Sequence, residues 1–354
     1  MKSKPMTKFA ILTLSLILVA CAGGGSEEAG CPAIDGREIN VVATTPMIGE
    51  FVSQVGGENI NLTVLMPPEA NPHTYEPAPQ DAGTIAEADL VFYTGLLYEP
   101  AALVKLLENS ACSTDILSEV GESVFPIEFK EGGHDDHDDH DDHDDHDDHD
   151  DEKDHDDEEG HDDHDDEEGH DDHEGHNHGA YDPHFWFDPS RVAYAAEYIE
   201  SRLIQFDPEN ESSYKSSADS FVSELNDLTK QVSELISTVP SQNRKLITTH
   251  ESLGYLEAKF GLEVLSTIIP SLNSANEISP SDLAGVIDVI EDNNVKVIFI
   301  ESEAPSVYSE TIVAETGIKP VTGLYVETLK PGQSYSEFLI SNVKLITENL
   351  QDTD

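Results

Sequence analysis

Histidine is the residue type whose number and spacing in this chain point most directly to chemistry. Thirteen of the 16 histidines lie within residues 131–178, where His-Asp-Asp repeats with a period of three from His134 to His149. Imidazole and carboxylate together suit borderline divalent metals, zinc above all. The alternative is a purely solvating acidic linker, but such a linker has no need of a histidine at every third position. We therefore interpret the tract as an accessory, weak metal-binding segment. Its candidate ligands are His134, His137, His140, His143, His146, His149, His155, His161, His164, His170, His173, His176 and His178.

The charge of the tract also decides what the segment can be. Residues 131–178 contain 28 acidic residues, one lysine and no hydrophobic side chain, and so supply about half of the formal net charge of −55. With nothing apolar to bury and like charges repelling along it, the segment is expected to be disordered. A chain this acidic is not expected to bind nucleic acid, because that affinity depends on lysine and arginine neutralising phosphate.

Three further histidines stand alone at His73, His184 and His250, each where a predicted strand has just ended. Loops at the carboxyl ends of strands are where open α/β sheets bind ligands. A lone loop histidine is more often a surface or hydrogen-bonded residue, but three of them in a chain with a metal-binding tract favour one shared metal site. His73 and His184 precede the helical pattern that begins at residue 211 and His250 follows it, so the site is expected between two lobes.

The amino terminus predicts export. Three lysines precede the apolar stretch 9–20, which is too short to span a bilayer and is typical of a signal peptide over residues 1–20. The stretch ends in Leu-Val-Ala-Cys, which resembles a bacterial lipobox and makes Cys21 the candidate lipidation site; the alternative is a plain signal peptide with a chance cysteine. Residues 21–38 are then a lipid-anchored tether, on the periplasmic or extracellular face of a membrane.

Two cysteines, Cys31 and Cys112, remain after Cys21. An oxidising compartment permits a disulfide between them, although the spacing alone equally allows two inert thiols.

Hydrophobic runs alternate with helical periodicity over the rest of the chain, which predicts an α/β fold with parallel sheets. A 29-residue helical pattern from Glu211 to Val239 is too long for one small lobe and is expected to connect two. We predict an N-terminal lobe over 39–189 that includes the tract, a helical connector over 190–243 and a C-terminal lobe over 244–354. The predicted strands are Ile39–Thr45, Leu62–Met66, Leu90–Tyr93, Lys245–Thr249, Val264–Ile268, Val295–Ile300 and Lys319–Val321.

Four motifs carry a resemblance to a known family: NPHTYEPAPQD at 71–81, DPHFWFDP at 182–189, HESLGYLEAKFG at 250–261 and QSYSEFL at 333–339. Together they make the chain, over about residues 39–350, similar to the metal-specific solute-binding proteins of bacterial ABC importers. The charged His-rich loop resembles that of the zinc-binding branch. The resemblance implies two α/β lobes joined by a long helix, a metal site in the cleft between them, and a monomer that delivers Zn²⁺ to a permease in the cytoplasmic membrane.

The resemblance also implies the ligands, one from each of the first three motifs, which gives His73, His184 and His250. Manganese-preferring relatives have a carboxylate at the third position, whereas nitrogen at that position suits zinc. A family carboxylate near the C-terminus falls on Glu327, where relatives commonly have aspartate. Glu76 or water is the alternative fourth ligand, and Glu327 is then a solvated loop acid.

Other functions are compatible with parts of the same pattern. A manganese or other divalent-metal binding protein, an adhesin and an extracellular metal buffer share the predicted site chemistry. A zinc hydrolase is the least favoured, because the sequence from His250 to Gly254 begins like a metalloprotease helix but has glycine where the second histidine must stand. The sequence therefore predicts a metal-binding protein and not an enzyme.

Deleting residues 131–178 tests the division of labour between the tract and the three isolated histidines. The deletion variant is expected to lose several weak zinc equivalents and to retain one tight equivalent, measured by equilibrium zinc titration. Loss of the tight equivalent together with the weak ones contradicts the interpretation.

Overall fold

The computed structural model of the chain describes residues 31, 34, 36–68, 70–129, 181–303 and 307–351. The predicted signal peptide, Cys21 and the tract at 131–178 with its 13 histidines lie outside the described residues. Among the residues that are described, no helix is both long enough and apolar enough to cross a membrane.

The first lobe is built on a parallel four-stranded sheet. Its two central strands are mainly apolar, because both of their faces are covered. Alternate residues of the first strand separate accordingly: Val41 enters the main core, whereas Val42 packs into a smaller core on the other face with Leu103 and Leu107. The strands are β1 (Ile39–Ala43), β2 (Ile60–Val64), β3 (Leu90–Tyr93) and β4 (Leu117–Glu119), in the order β2-β1-β3-β4. The helices are α1 (Pro46–Gly56), α2 (Pro79–Ala86) and α3 (Ala101–Ser110).

Two helices lead from the first lobe to the second. These are α4 (Pro189–Phe206) and α5 (Glu211–Ser237). The 27 residues of α5 span about 40 Å at 1.5 Å per residue. Its buried stripe, with Phe221, Leu225 and Val232 among its residues, packs against α1 and against the C-terminal helix of the chain. The predicted long connecting helix is therefore confirmed.

The second lobe repeats the arrangement of the first. Two parallel strand pairs, β5-β6 and β7-β8, lie side by side through contacts of β5 with β7, so the strands follow one another as β6, β5, β7 and β8. The strands are β5 (Lys245–His250), β6 (Glu263–Ile269), β7 (Val297–Glu301) and β8 (Lys319–Leu324). The helices are α6 (Gly254–Phe260), α7 (Pro280–Asp292), α8 (Val307–Thr316) and α9 (Tyr335–Gln351). The α/β class with two parallel-sheet lobes is confirmed.

A single hydrophobic core runs through both lobes and the connecting helices. Phe51 of α1 and Tyr335 of α9 meet with ring centroids 5.3 Å apart, and Phe187 meets Phe338 at 5.8 Å. Burying such aromatic side chains between the lobes stabilises one relative orientation, because separating them would expose large apolar surface. The core therefore favours limited motion over wide opening of the cleft.

Some predicted boundaries were wrong. The second strand ends at Val64 and not at Met66, because the chain turns there towards the prolines at 67 and 68. The connecting helix ends at Ser237, two residues before the predicted Val239.

Cys31 and Cys112 form a disulfide with a Cα–Cα distance of 5.1 Å, which resolves the two alternatives that the sequence allowed. The same segment is held a second time, because the Arg37 guanidinium donates two hydrogen bonds, of 2.5 and 2.6 Å, to the nearly buried Asp89. The carboxyl end of the predicted tether is thus fastened to the first lobe.

Replacing both cysteines, Cys31→Ser with Cys112→Ser, is expected to lower the free energy of unfolding by about 2–4 kcal/mol, because the bridge closes a long loop in the unfolded chain. Urea denaturation of the oxidised protein and of the variant measures the difference. Wild-type protein in excess dithiothreitol is the matched control and should fall to the value of the variant. An unchanged urea midpoint in both would contradict the prediction.

Candidate metal centre

His73 lies on a short 3-10 turn, Pro72–Thr74, in the loop between β2 and α2. Asn71 caps this turn, because its side-chain oxygen accepts the hydrogen bond of the His73 backbone N–H at 2.9 Å. Proline directly after the cap preorganises the first turn. The local sequence Asn-Pro-His therefore presents the imidazole from a turn with a defined backbone.

His184 lies where two chain segments meet, and not after a parallel strand as predicted. Glu128 and Tyr181 form an isolated antiparallel bridge, and the Asp182 N–H donates to the carbonyl of Ile127 at 3.0 Å. The carboxylate of Asp182 then accepts hydrogen bonds of 2.8 Å from both the backbone N–H and the Nδ1 of His184. This pairing fixes the ring and directs Nε2 away from Asp182.

His250 is the last residue of β5, whereas the prediction ended this strand at Thr249 and placed His250 at the start of the following loop. Glu301 is the last residue of β7, and the contacts of β7 with β5 bring these two strand ends together. Glu301 accepts hydrogen bonds from the backbone N–H of His250 at 3.2 Å and from its Nδ1 at 2.5 Å. The second imidazole is thus oriented by a carboxylate in the same way as that of His184.

Glu327 lies three residues beyond the end of β8 and is only 1% exposed, so the solvated loop acid is excluded. Tyr98 donates a hydrogen bond of 2.9 Å to its Oε2. The loop that carries Glu327 is held by Glu303, whose Oε1 accepts hydrogen bonds from the backbone N–H groups of Val326 and Glu327. The Glu327 carboxylate is thus buried and held in the cleft by contacts from both lobes, Tyr98 from the first and Glu303 from the second.

The structure brings His73, His184, His250 and Glu327 together, with one potential ligand atom from each within 4.8 Å of the others. Glu327 Oε1 lies 3.0 Å from the Nε2 atoms of both His73 and His250, and its Oε2 lies 3.5 Å from His184 Nε2. Glu76, the alternative ligand, is exposed and lies outside this group. Three imidazoles and one carboxylate can hold a metal ion in tetrahedral coordination.

The carboxylates of the site shift the pKa values of two imidazoles. Burial lowers the pKa of His184, but Asp182 and Glu327 outweigh it, and the pKa lies above the usual value. Burial also lowers the pKa of His250, yet the charges of Glu301 and Glu327 dominate and hold it well above the usual value. Without a metal these rings therefore attract protons, which a bound cation must displace.

The pKa values of the two carboxyl groups nearest the imidazoles shift in opposite directions. Burial raises the pKa of Glu327, but the charges of His73 and His250 prevail and hold it well below its usual value. Burial, followed by the negative charges of Glu327 and Glu301, raises the pKa of Glu303 to about 8. Glu301, Glu303 and Glu327 thus lie close together around the imidazoles, and a bound divalent cation would reduce the repulsion between their negative charges.

Comparison with known proteins agrees with this geometry. Residues 41–349 match the family described as "Zinc-uptake complex component A periplasmic". The chain belongs to this family. It is thus a periplasmic divalent-metal-binding component of the ABC-importer kind and not an enzyme.

Relatives of the chain are named for different metals. The manganese ABC transporter substrate-binding lipoprotein PsaA of Streptococcus anginosus is 26% identical over 357 residues, covering 98% of this chain and 99% of the relative. The high-affinity zinc uptake system protein ZnuA of Bacillus subtilis is 27% identical over 352 residues, covering 97% and 96%. The periplasmic zinc binding protein TroA of Treponema pallidum superposes with a TM-score of 0.70 at 20% identity, over 88% of this chain and 99% of that one, which shows the fold.

Sequence reasoning missed the residues that orient the candidate ligands. Asp182 stands in the quoted motif DPHFWFDP, and Glu301 directly follows the predicted strand Val295–Ile300, so both carried the signals that singled out the histidines. Their role depends on a tertiary partner, His184 or His250, that neither motif nor periodicity identifies. Tyr98 carried no signal in the sequence.

Asp182→Asn and Glu301→Gln are each expected to weaken Zn²⁺ binding by about 10- to 100-fold, because the carboxylates orient the imidazoles and raise their basicity. Competition with a chromophoric chelator measures the affinity. Glu257→Gln is the matched control, since this half-buried carboxylate of α6 accepts a hydrogen bond from the Val264 N–H and makes no contact with the cluster. Wild-type affinity in both test variants would contradict the assigned role.

Proposed function

We propose that the chain is the high-affinity zinc-binding component of an ABC importer, which captures Zn²⁺ outside the cytoplasmic membrane and delivers it to a permease. The observation that carries the proposal is the convergence of His73, His184, His250 and Glu327 within 4.8 Å in a buried cleft between two lobes. We assign these four residues as the ligands of the transported ion. Three nitrogens and one oxygen are a donor set that tetrahedral zinc commonly takes.

Manganese is the second candidate cargo. Its support is the set of relatives named for manganese, together with the position of Glu327, which directs Oε1 at two imidazoles and Oε2 at the third. A bidentate carboxylate would raise the coordination number beyond four. Zinc is favoured here because the third position is His250, and manganese prefers oxygen ligands.

The rest of the chain fits the same role. We propose that residues 1–20 direct export, that Cys21 carries the lipid, and that the anchored tether over 21–38 leads into an N-terminal lobe over 39–189. A connector over 190–243 and a C-terminal lobe over 244–354 complete a monomer. In this proposal the tract at 131–178 raises the local supply of zinc and is not the site of transport.

Replacing the proposed ligands one at a time tests the function. His73→Ala, His184→Ala and His250→Ala are each expected to abolish the tight zinc equivalent in an equilibrium titration, because each removes one of the four ligands. A histidine of the tract, His143→Ala, is the matched control and should leave the tight equivalent unchanged. Unchanged tight binding in all three test variants would overturn the assignment.

Metal uptake separates the two candidate metals, whereas relative affinity does not, because sites of nitrogen and oxygen ligands generally bind Zn²⁺ more tightly than Mn²⁺. Cells with the intact importer are expected to accumulate Zn²⁺ from a medium that holds both metals, measured by metal analysis against a strain without this protein. Accumulation of Mn²⁺ alone would favour manganese. Metal uptake by cells that lack the permease separates an importer component from an extracellular buffer or adhesin, because only the importer component needs the permease.

A further inference from the structure

The contacts that join the lobes around the site form a buried base and a shallower rim. At the base, the Trp186 indole N–H donates to the carbonyl of Val326 at 2.8 Å, and the Tyr335 hydroxyl donates to the carbonyl of Trp186 at 2.7 Å. Tyr98 donates to the carbonyl of Glu327 at 3.1 Å. Each of these side chains is at most 1% exposed and continues into the shared hydrophobic core. Parting the lobes at the base would therefore break buried hydrogen bonds and expose apolar surface.

The rim is joined by Asn71 of the first lobe. Its amide nitrogen donates to the hydroxyl of Ser274 at 3.0 Å and to the backbone carbonyl of Glu303 at 3.3 Å, both in the second lobe. Its side-chain oxygen accepts the backbone N–H of His73 at 2.9 Å. The Asn71 amide thus binds the backbone of the candidate ligand His73 through its oxygen and the second lobe through its nitrogen.

His73 is also the shallowest of the four candidate ligands. Its side chain is 3% exposed, whereas the side chains of His184, His250 and Glu327 are fully buried. It is carried by a loop, while His250 ends a strand and His184 is followed at once by buried aromatic residues. The exit that requires the smallest movement of the protein is therefore the one past His73.

We propose that Asn71 is a latch that holds the His73 loop against the second lobe, and that breaking its hydrogen bonds to Ser274 and Glu303 is the step that opens the site for release. The inference rests on the proposed function, since it assumes that the four-residue cluster holds the transported ion. Asn71 is a positioning residue here, because it acts on the ion through His73. The latch confines the opening to one rim while the base stays joined.

The orientation of the Asn71 amide makes a sharp test possible. Its oxygen faces an N–H group and its nitrogen faces a carbonyl, so the hydrogen-bond network defines which atom is which. Asn71→Asp keeps the acceptor for the His73 N–H and with it the turn. The same change replaces the donor with an oxygen that repels the Glu303 carbonyl. Because the Ser274 hydroxyl could turn and donate to that oxygen, the change is made together with Ser274→Ala, so that both bonds of the latch are lost and the turn is kept.

Release of Zn²⁺ into excess chelator, followed by stopped-flow absorbance, measures the effect. Asn71→Asp combined with Ser274→Ala, and Asn71→Ala alone, are both expected to accelerate release about tenfold, the effect of losing roughly one hydrogen bond. Association should be unchanged or slightly faster, because the latch closes after the ion has entered. The added negative charge of aspartate would by itself slow the release of a cation, so faster release from this variant cannot be an effect of charge.

Two further variants complete the experiment. Ser274→Ala removes the partner of the same bond, so it should accelerate release and combine with Asn71→Ala less than additively. Asn61→Ala is the matched control, because the Asn61 amide bonds to Asn40 within the first lobe and should release at the wild-type rate. If the Asn71 variants unfold, release from Ser274→Ala alone decides the question.

Wild-type release rates in both Asn71→Ala and Ser274→Ala would overturn the latch, as would additive effects of these two substitutions. Release accelerated by Asn71→Ala but not by Ser274→Ala would assign the effect to the local turn and also overturn it. Failure of the proposed function has a different signature, since wild-type protein would then show no tight zinc equivalent at all.

Discussion

The buried carboxylate of Glu327 is the constraint on which the rest of the site depends. An ionised carboxylate without compensation costs several kcal/mol in a protein interior. Here the compensation comes from the imidazoles of His73, His184 and His250, each within 3.5 Å of one of its oxygens. Because His73 and His184 come from the first lobe and His250 from the second, the charge of Glu327 is fully compensated only when the lobes are together. The same arrangement accepts a divalent cation in place of the shared protons.

The acids behind the imidazoles strengthen this preference for a cation. Asp182 and Glu301 hold the Nδ1 atoms of His184 and His250, so the Nε2 atoms face the cluster. Glu303 lies under the loop of Glu327 and has a pKa raised to about 8 by burial and by its acidic neighbours. The raised pKa means that burial and neighbouring negative charge outweigh the positive charge within reach of this carboxyl group. A metal ion supplies two positive charges at the point where the ligand atoms converge.

Much of the fold could be predicted from the sequence, because the buried strands are continuous apolar runs and the long helix has an uninterrupted stripe. Leu90–Tyr93 is a strand with the predicted bounds, and Glu211–Ser237 is helical as expected. His184 was misplaced because its segment is held by a bridge to Glu128, a partner more than 50 positions away that local periodicity does not reveal. Glu327 was found only through the family resemblance, since one acid in a loop of so acidic a chain carries no signal of its own.

The four candidate ligands also differ in how firmly the fold holds them, and this difference bears on how such a site can fill. His250 ends a strand, His184 is clamped by Asp182, and Glu327 is held by Tyr98 and the backbone contacts of its loop. Three ligands are thus positioned by buried structure before any ion arrives, which lowers the entropic cost of binding. His73 sits on a loop turn and can complete the coordination last. A rigid three-ligand base with one adjustable ligand allows tight holding and release through small movements, which is what the shared core between the lobes permits.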